Sequence, residues 1–537
     1  MILMLAGLLL FAIVIAVIIA IAFKAQQSIS LSKHQNLIGY GLQAQLLQDK
    51  HDLHRYGLAQ QLRRRFGGLS SFGLSFNVLA LIGSSAFLFG PAIGEGGPSV
   101  IGFGLPIIAL FALILSASLA ELSSVTPTAG GIYHTASSLG GRSWGVRAGW
   151  LQAAGHLAML TLLNCACAAL LDGLMSARIG YQTSDFTFWC VVAVLTASQG
   201  AVNHFGNRML SKLQAGGVIL QVFIALFIIA GLAWLAWPGS YSPVLMYQFQ
   251  NAEWNGTVQA GSFVSGTLLL LKLFIGMEGS SQGSEETIDP RVRAPWSIFL
   301  STAYTFVIGF VLMSFMLISI PLSNGPSWLG TYLHTAAAGW GGTSIIIIFV
   351  IQSLWSSGLQ TMTVCSRIVY SLARDGAMPL SQRWSNVSER HQTPIPAVWL
   401  CAVISLTILL IAFFSYREDT IIFLLTAAII CLNLSYAIPI AWKIKQGKNH
   451  TRLHASPWHL GSWSIPIHVV SIAWLLITTI LAAIFIDYRG SIAAFIILTL
   501  IFFMELRYRQ KHEMSLQSRV NRSRKELYFM ERKFPLN

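Results

Sequence analysis

The stretch that decides the fold runs from Gly261 to Pro295, GSFVSGTLLLLKLFIGMEGSSQGSEETIDPRVRAP. It opens as an apolar helix over 263–274, which at about 1.5 Å per residue crosses roughly half a bilayer. Gly276, Gly279 and Gly283 then arrive close together, with Met277 and Glu278 between the first two. A glycine costs about 1 kcal/mol in a helix interior, so the cluster predicts a helix interrupted at membrane depth. Unwound backbone is tolerated there only where protein or a watery cavity covers it. Lys272 precedes the break and Glu278 lies inside it, and ionisable groups within a membrane are functional-site candidates by default. An interrupted helix carrying charge at mid-depth is the construction expected of a substrate site in a transporter.

The remaining sequence has the composition this requires. Of 537 residues, 54% are hydrophobic and only 10% charged, against about 25% charged in soluble domains, and the mean hydropathy is +0.64. The chain reads as an all-α polytopic membrane protein. Its net charge of +14 reflects the Lys and Arg that gather in cytoplasmic loops, and nucleic-acid binding is not expected. The six cysteines all fall inside apolar spans and read as small buried hydrophobes, so neither a disulfide framework nor a metal site is expected.

Residues 1–23 are an almost unbroken apolar run without a basic leader, read as an extra N-terminal transmembrane helix, with a signal sequence as the competing reading. Residues 24–71 are polar and basic, a cytoplasmic segment with room for an interfacial helix. Five apolar spans follow within 72–237, five more within 261–442 and two within 465–506, before a basic cytoplasmic tail over 507–537. This totals about 13 transmembrane helices. With the N-terminus outside and the C-terminus cytoplasmic, 30 of the 34 Lys and Arg lie on the cytoplasmic side. Arg178, Arg417 and Arg489 fall outside, and Lys272 lies within the membrane. Because five is odd, the second set of five starts from the opposite side and is inverted. The first helix of the first set also carries a suspect stretch, Gly83-Ser84-Ser85, followed by Gly90-Pro91. Paired interruptions in two inverted halves point to a substrate site between them.

Several local strings resemble one family. Glu121-Leu122-Ser123-Ser124 with Pro127 to Tyr133, preceded by Gly96-Gly97-Pro98 and followed by Ala148-Gly149-Trp150, is similar to the signature of amino acid permeases. GMEGSSQGSEET at 276–287 resembles the broken-helix motif of that family. Ser366-Arg367, the run 373–379 and Thr393-Pro394-Ile395-Pro396 resemble its eighth-helix exit loop. Over about 53–509 the chain resembles the amino acid–polyamine–organocation superfamily, closest to the amino acid/choline branch that includes γ-aminobutyrate permeases. The resemblance implies a LeuT-like five-plus-five inverted repeat with two C-terminal accessory helices. It also implies alternating-access transport of an amino acid or small amine, driven by an ion gradient of H+ or Na+, without a cofactor. The sequence departs from the pattern in the first break, in Gln221 where some proton-coupled members carry Lys, in Lys272, and in the N-terminal helix.

The candidate substrate-binding residues are Gly83, Ser84, Ser85, Ile275, Gly276, Met277, Glu278 and Gly279, with Trp355 from a polar stripe that includes Gln352, Ser356, Ser357 and Gln360. N–H groups freed at the first break suit a carboxylate, and carbonyls freed at the second suit an ammonium. The alternative is that these glycines only allow close helix packing. Candidate coupling residues are Glu278, Lys272 and His156. For Lys272, replacement of a bound sodium stands beside snorkelling or structural pairing, and for His156 a proton relay stands beside a core histidine. Glu121, Arg142, Glu285 and Arg367, with Glu286, Arg374 and Asp375, form a candidate inner gate, with solvated loop charges as the alternative. The tail from Arg507 to Lys533 holds nine basic residues against three acidic and is expected to meet anionic lipid in a plasma or bacterial inner membrane. Catalytic motifs are absent, so an enzyme is not expected; neither is an ATP-driven pump. The functional alternative to transport is a ligand sensor or scaffold built on the same fold.

Overall fold

The computed structural model describes residues 2–35, 41–236, 242–250, 257–319, 341–415, 420–447, 456–503 and 522–534. Arg417 and positions 504–521 of the tail region lie outside them. The described residues are almost entirely helical, as lipid demands of a chain that must satisfy its backbone internally. Eleven helices among them are long and apolar enough to cross a membrane, and two shorter apolar ones, Ala260–Leu273 and Tyr488–Phe503, join them. The chain is an integral polytopic membrane protein.

The N-terminal helix, Ile2–Gln35, runs on beyond the apolar stretch that ends at Phe23. Only 11% of its most apolar window is buried, against 89% for the helix pair Gly68–Gly96, so the first is peripheral and the second central. It leans on the helix Leu105–Val125, and Phe11 packs against Phe306 and Phe310 of the helix Pro290–Ser319.

The ten core helices follow in order. The first is Gly68–Leu79 and Leu81–Gly96, the second Val100–Val125, the third Arg142–Ile179, the fourth Asp185–Phe205 and the fifth Asn207–Ala236. The sixth is Ala260–Leu269 with a tighter turn over Leu270–Leu273, then a separate turn Gly279–Gln282. The seventh is Pro290–Ser319, the eighth Gly341–Arg374, the ninth Ile395–Ser415 and the tenth Thr420–Gln446. Ser464–Phe485 and Tyr488–Phe503 complete the bundle. The third core helix packs on the eighth and tenth, the second on the seventh, and the second half of the first, Leu81–Gly96, on the start of the sixth.

Both discontinuities exist, but the first is not where glycine spacing puts it. The chain breaks at Ala80, which sits at φ 52° in the left-handed region, a conformation costing an L-residue about 1–2 kcal/mol. Gly83, Ser84 and Ser85 already belong to the first turns of the half-helix Leu81–Gly96, and Gly90-Pro91 lies within it without interrupting it. The sixth helix leaves regular geometry where expected, at Phe274–Glu278.

Candidate functional site

The two breaks meet. Gly276 has φ 92°, and a Cβ there would stand 2.5 Å from Val78 Cγ1, so glycine serves both the turn and the close approach of the first helix. Lys272, only 2% exposed, extends from the tight turn before the second break into the first. Its Nζ lies 3.4 Å from the carbonyl oxygens of Val78 and Leu79 and 3.3 Å from Ser84 Oγ. The carbonyls end the half-helix Gly68–Leu79, where the helix dipole is negative and an ammonium is favoured. Ser357 Oγ also donates to Val78 O, at 2.7 Å.

On the other side of the first break, the N–H of Gly83 donates to Ser353 Oγ at 3.1 Å. Ser353 continues to Gln221 at 3.4 Å, and Gln221 donates to Asn77 Oδ1 at 2.9 Å. A relay of side chains from the eighth and fifth core helices therefore spans the break. Ser85 Oγ is buried and has no hydrogen-bond partner among the described residues. A small cavity lies beside the half-helix Leu81–Gly96, lined by Ser84, Phe87, Lys272, Leu354, Leu425 and aliphatic residues of the third core helix.

Glu278, fully buried, anchors a second cluster. Tyr436 Oη donates to its Oε2 at 2.5 Å and Gln152 Nε2 to its Oε1 at 3.2 Å. His156 Nε2 stands 3.3 Å from Oε1, within ion-pair distance but outside hydrogen-bond geometry, while Nδ1 meets Gln152 O at 3.0 Å. Glu278 and His156, two of the three coupling candidates, are thus neighbours. Tyr436 and Gln152 were not singled out, since one phenol and one amide inside long apolar helices carry no positional signal.

The other candidates spread further. Ile275 continues the backbone turn onto Leu271 O, and Met277 accepts from Thr302 Oγ1 of the seventh core helix. Gly279 abuts the half-helix Gly68–Leu79, where a Cβ would lie 2.9 Å from Leu74 O. Trp355 turns to the fourth core helix and donates to Ser198 Oγ at 2.9 Å. Its indole ties scaffold helices together and is not among the residues lining the cavity.

A buried ionic layer closes the end of the bundle that follows the second break. Arg374 grips Glu285 with two hydrogen bonds of 2.9 and 3.0 Å, and Ala129 N donates to the same carboxylate at 3.0 Å. Burial opposes that charge, but the Arg374 guanidinium and the Ala129 N–H outweigh it and hold the Glu285 carboxyl below its ordinary range. Arg367 pairs with Glu286 at 2.9 Å, both side chains fully buried. Asp375 takes Tyr133 Oη at 2.8 Å and lies 3.0 Å from His134 Nε2.

Glu121 accepts from Ser464 Oγ at 2.8 Å and lies 3.4 Å from His468 Nε2, so it fastens the helix Ser464–Phe485. Arg142 opens the third core helix, at its N-terminus.

The segment preceding the core covers this ionic layer. Arg64 Nη1 donates to Ser284 O at 3.1 Å and Thr287 O at 2.5 Å, capping the unwound stretch after the sixth helix. Its helix Leu42–His54 buries Asp49, Lys50 and Asp52 against protein. The tail returns to it: in the short helix Arg524–Glu531, Glu531 accepts from Lys50 at 2.5 Å, Gln60 N at 2.8 Å and lies 2.8 Å from His54 Nε2.

Two discontinuous helices crossing at a buried polar centre, within a bundle of apolar spans, define a membrane transporter. The family model described as "Amino acid permease" matches residues 66–505, and the chain belongs to that family. It is a transporter, not an enzyme. It is 27% identical to "Amino-acid permease BAT1 homolog" of Oryza sativa subsp. japonica over 81% of this chain and 88% of that one. It is 26% identical to "Amino-acid permease 2" of Neurospora crassa, covering 81% and 80%. The "Putative polyamine transporter" of Candida albicans is 26% identical, covering 80% and 79%.

Proposed function

We propose that this chain is a secondary active transporter that moves an amino acid or small amine by alternating access. The observation that carries the reading is the meeting of two helix breaks, at Ala80 and at Phe274–Glu278, around buried charge. In this reading, the Ser85 hydroxyl, with the Gly83 N–H once it leaves Ser353, receives the substrate carboxylate beside Ser84, while carbonyls of 275–279 face its amine. Glu278 carries the coupling proton, with His156 as its exchange partner and Tyr436 and Gln152 holding the carboxylate in place. Lys272 occupies the carbonyls on which a sodium ion would otherwise rest.

The Glu285–Arg374 and Glu286–Arg367 pairs are the inner gate, on the cytoplasmic side, with the N-terminus outside. Basic residues of the tail face anionic headgroups of the same leaflet. Uptake of labelled amino acids into proteoliposomes against their gradient, driven by an imposed pH gradient, tests the proposal. Ligand binding without flux would leave a sensor or scaffold instead.

A further inference from the structure

Arg63, Arg64 and Arg65 lie in an extended stretch leading into the first core helix, and extended backbone sends successive side chains to opposite sides. Leu62, Arg64 and Phe66 are buried, and Arg64 caps the carbonyls of Ser284 and Thr287. Arg63 and Arg65 therefore turn outward, each left partly exposed. The stretch is held in place, since the N–H groups of Arg65 and Phe66 both donate to Glu286 O at 2.8 Å. Ile288 N returns a bond to Phe66 O at 3.0 Å.

Outside, this strand meets more positive charge. The start of the first core helix lies against the start of the fifth, where Ser70 Oγ donates to Ser211 O at 3.1 Å and the two hydroxyls are 2.8 Å apart. Arg208 and Lys212, both exposed, stand four residues apart on the fifth helix and share one face. Burial and the like charges of Arg63 and Arg208 hold the Arg65 guanidinium below its ordinary pKa. Among the described residues no carboxylate pairs with Arg65, Arg208 or Lys212. Apolar surface begins at the same level: Leu69 and Met209, both exposed, open the spans Gly68–Gly96 and Arg208–Trp234. Only 28% of the most apolar window of the latter span is buried, so the fifth helix offers most of its surface to lipid.

We propose that Arg63, Arg65, Arg208 and Lys212 bind the phosphate headgroup of an anionic phospholipid, with Leu69 and Met209 against its acyl chains. Guanidinium groups meet phosphate oxygens with paired N–H donors, and an anion relieves the repulsion among the gathered cations. The adjoining apolar side chains suit a lipid and contribute nothing to a free phosphate. Because Arg64 grips the unwound stretch after the sixth helix from the other side of the same strand, a headgroup held outside steadies the cover of the ionic layer. The site stands apart from the transport reading, since a sensor or scaffold of this fold would hold the lipid equally.

The test is native mass spectrometry of the delipidated full chain in detergent, with equimolar dioleoyl phosphatidylglycerol and dioleoyl phosphatidylcholine. Phosphatidylglycerol should be retained at least fivefold over phosphatidylcholine. The variant Arg65→Gln/Arg208→Gln/Lys212→Gln should bring the two within about twofold, whereas Arg524→Gln/Lys525→Gln/Lys533→Gln in the tail keeps the preference. An unchanged preference in the first variant, or its loss in the tail variant alone, overturns the proposal. Glycerol 3-phosphate and inorganic phosphate at the lipid's concentration should leave the lipid bound. Displacement by either would mean a site for a free phosphate and would overturn the lipid assignment.

Amide exchange of the wild-type protein locates the site without any variant. Phosphatidylglycerol, compared with phosphatidylcholine, should slow exchange over 61–66 and 208–213 at least threefold. Protection confined to 522–534, or none at all, overturns the proposal.

Discussion

The phenol of Tyr436 donates to Glu278 Oε2 across 2.5 Å and so ties the tenth core helix to the break in the sixth. The bond lies where nothing is exposed, with Glu278 fully buried and Tyr436 nearly so. A buried carboxylate must find hydrogen bonds or a counter-charge, and here it finds Tyr436, Gln152 and the neighbouring His156. The pair therefore links the substrate-side break to the third and tenth core helices through one titratable group.

Glu278→Gln preserves the shape of that group and removes its charge. Uptake should be abolished, or should proceed without its dependence on the pH gradient, while the protein remains folded in membranes. Tyr436→Phe leaves the carboxylate one donor short, a loss of about 1–3 kcal/mol in a buried site, and should shift the pH profile of uptake. Wild-type transport with a wild-type pH profile in Glu278→Gln would take that residue out of the mechanism.

Gly276→Ala confronts two obstacles together. The left-handed backbone at φ 92° is strained for alanine, and the new Cβ would lie 2.5 Å from Val78 Cγ1. A loss of about 2 kcal/mol or more is expected, read as a lower melting temperature in detergent, together with loss of uptake. If Gly276→Ala melts and transports like the wild type, the breaks do not need to approach so closely.

How much of this was legible in the sequence differs between the two breaks. The second was marked by Gly276, Gly279 and Gly283, and the structure leaves helical geometry there because Gly276 takes a backbone angle that other residues avoid. The first was marked three residues late, by Gly83-Ser84-Ser85, since Ala80 bears the positive φ and no propensity scale assigns alanine that role. Span count followed from hydropathy alone. The partners of Glu278 did not, because Gln152 and Tyr436 lie 126 and 158 residues away along the chain and only packing brings them in. The bond of Glu121 to Ser464 was hidden for the same reason, its partner being 343 residues on. Arg64 belonged to a visibly basic run, yet its capping of Ser284 and Thr287 needed the fold.

The bidentate Glu285–Arg374 pair should behave as a buried ion pair. Arg374→Met leaves Glu285 without its cation and is expected to cost about 3–5 kcal/mol, whereas the double variant Glu285→Gln/Arg374→Met should recover much of that loss. Thermal unfolding of the two single variants, the double variant and the wild type gives the coupling. Additive losses would mean the pair contributes no interaction of its own.

Asp49 supplies a pH dependence outside the membrane spans. Burial pushes its carboxyl up from 3.8 to about 6, against the pull of Arg64 and a hydrogen bond from Asp289 N. Because the folded pKa is the higher, the folded protein binds the proton more tightly, and the contribution of Asp49 to stability falls as pH rises from about 4 to 6. Above that window the loss is complete, at about 3 kcal/mol on the scale of 1.36 kcal/mol per pKa unit. Asp49→Asn should flatten the wild-type slope of melting temperature against pH between 4 and 6. An unchanged slope would assign the dependence to other groups.

Glu531 gathers three donors from the segment that covers the ionic layer: Lys50, His54 and the backbone of Gln60. The surrounding contacts are aromatic, with Lys50 Nζ 4.6 Å from the Tyr528 ring centroid and His54 edge-on to the same ring at 5.2 Å. An eight-residue helix such as Arg524–Glu531 is too short to persist by itself, so its order depends on this docking. Glu531→Gln keeps the side chain's length and removes the charge that Lys50 answers. Amide exchange over 524–531 should then accelerate at least tenfold, while exchange in the core helices stays at wild-type rates. Unchanged protection in the variant would mean that the buried Leu527 and the Tyr528 contacts hold the helix, and that Glu531 is a passenger.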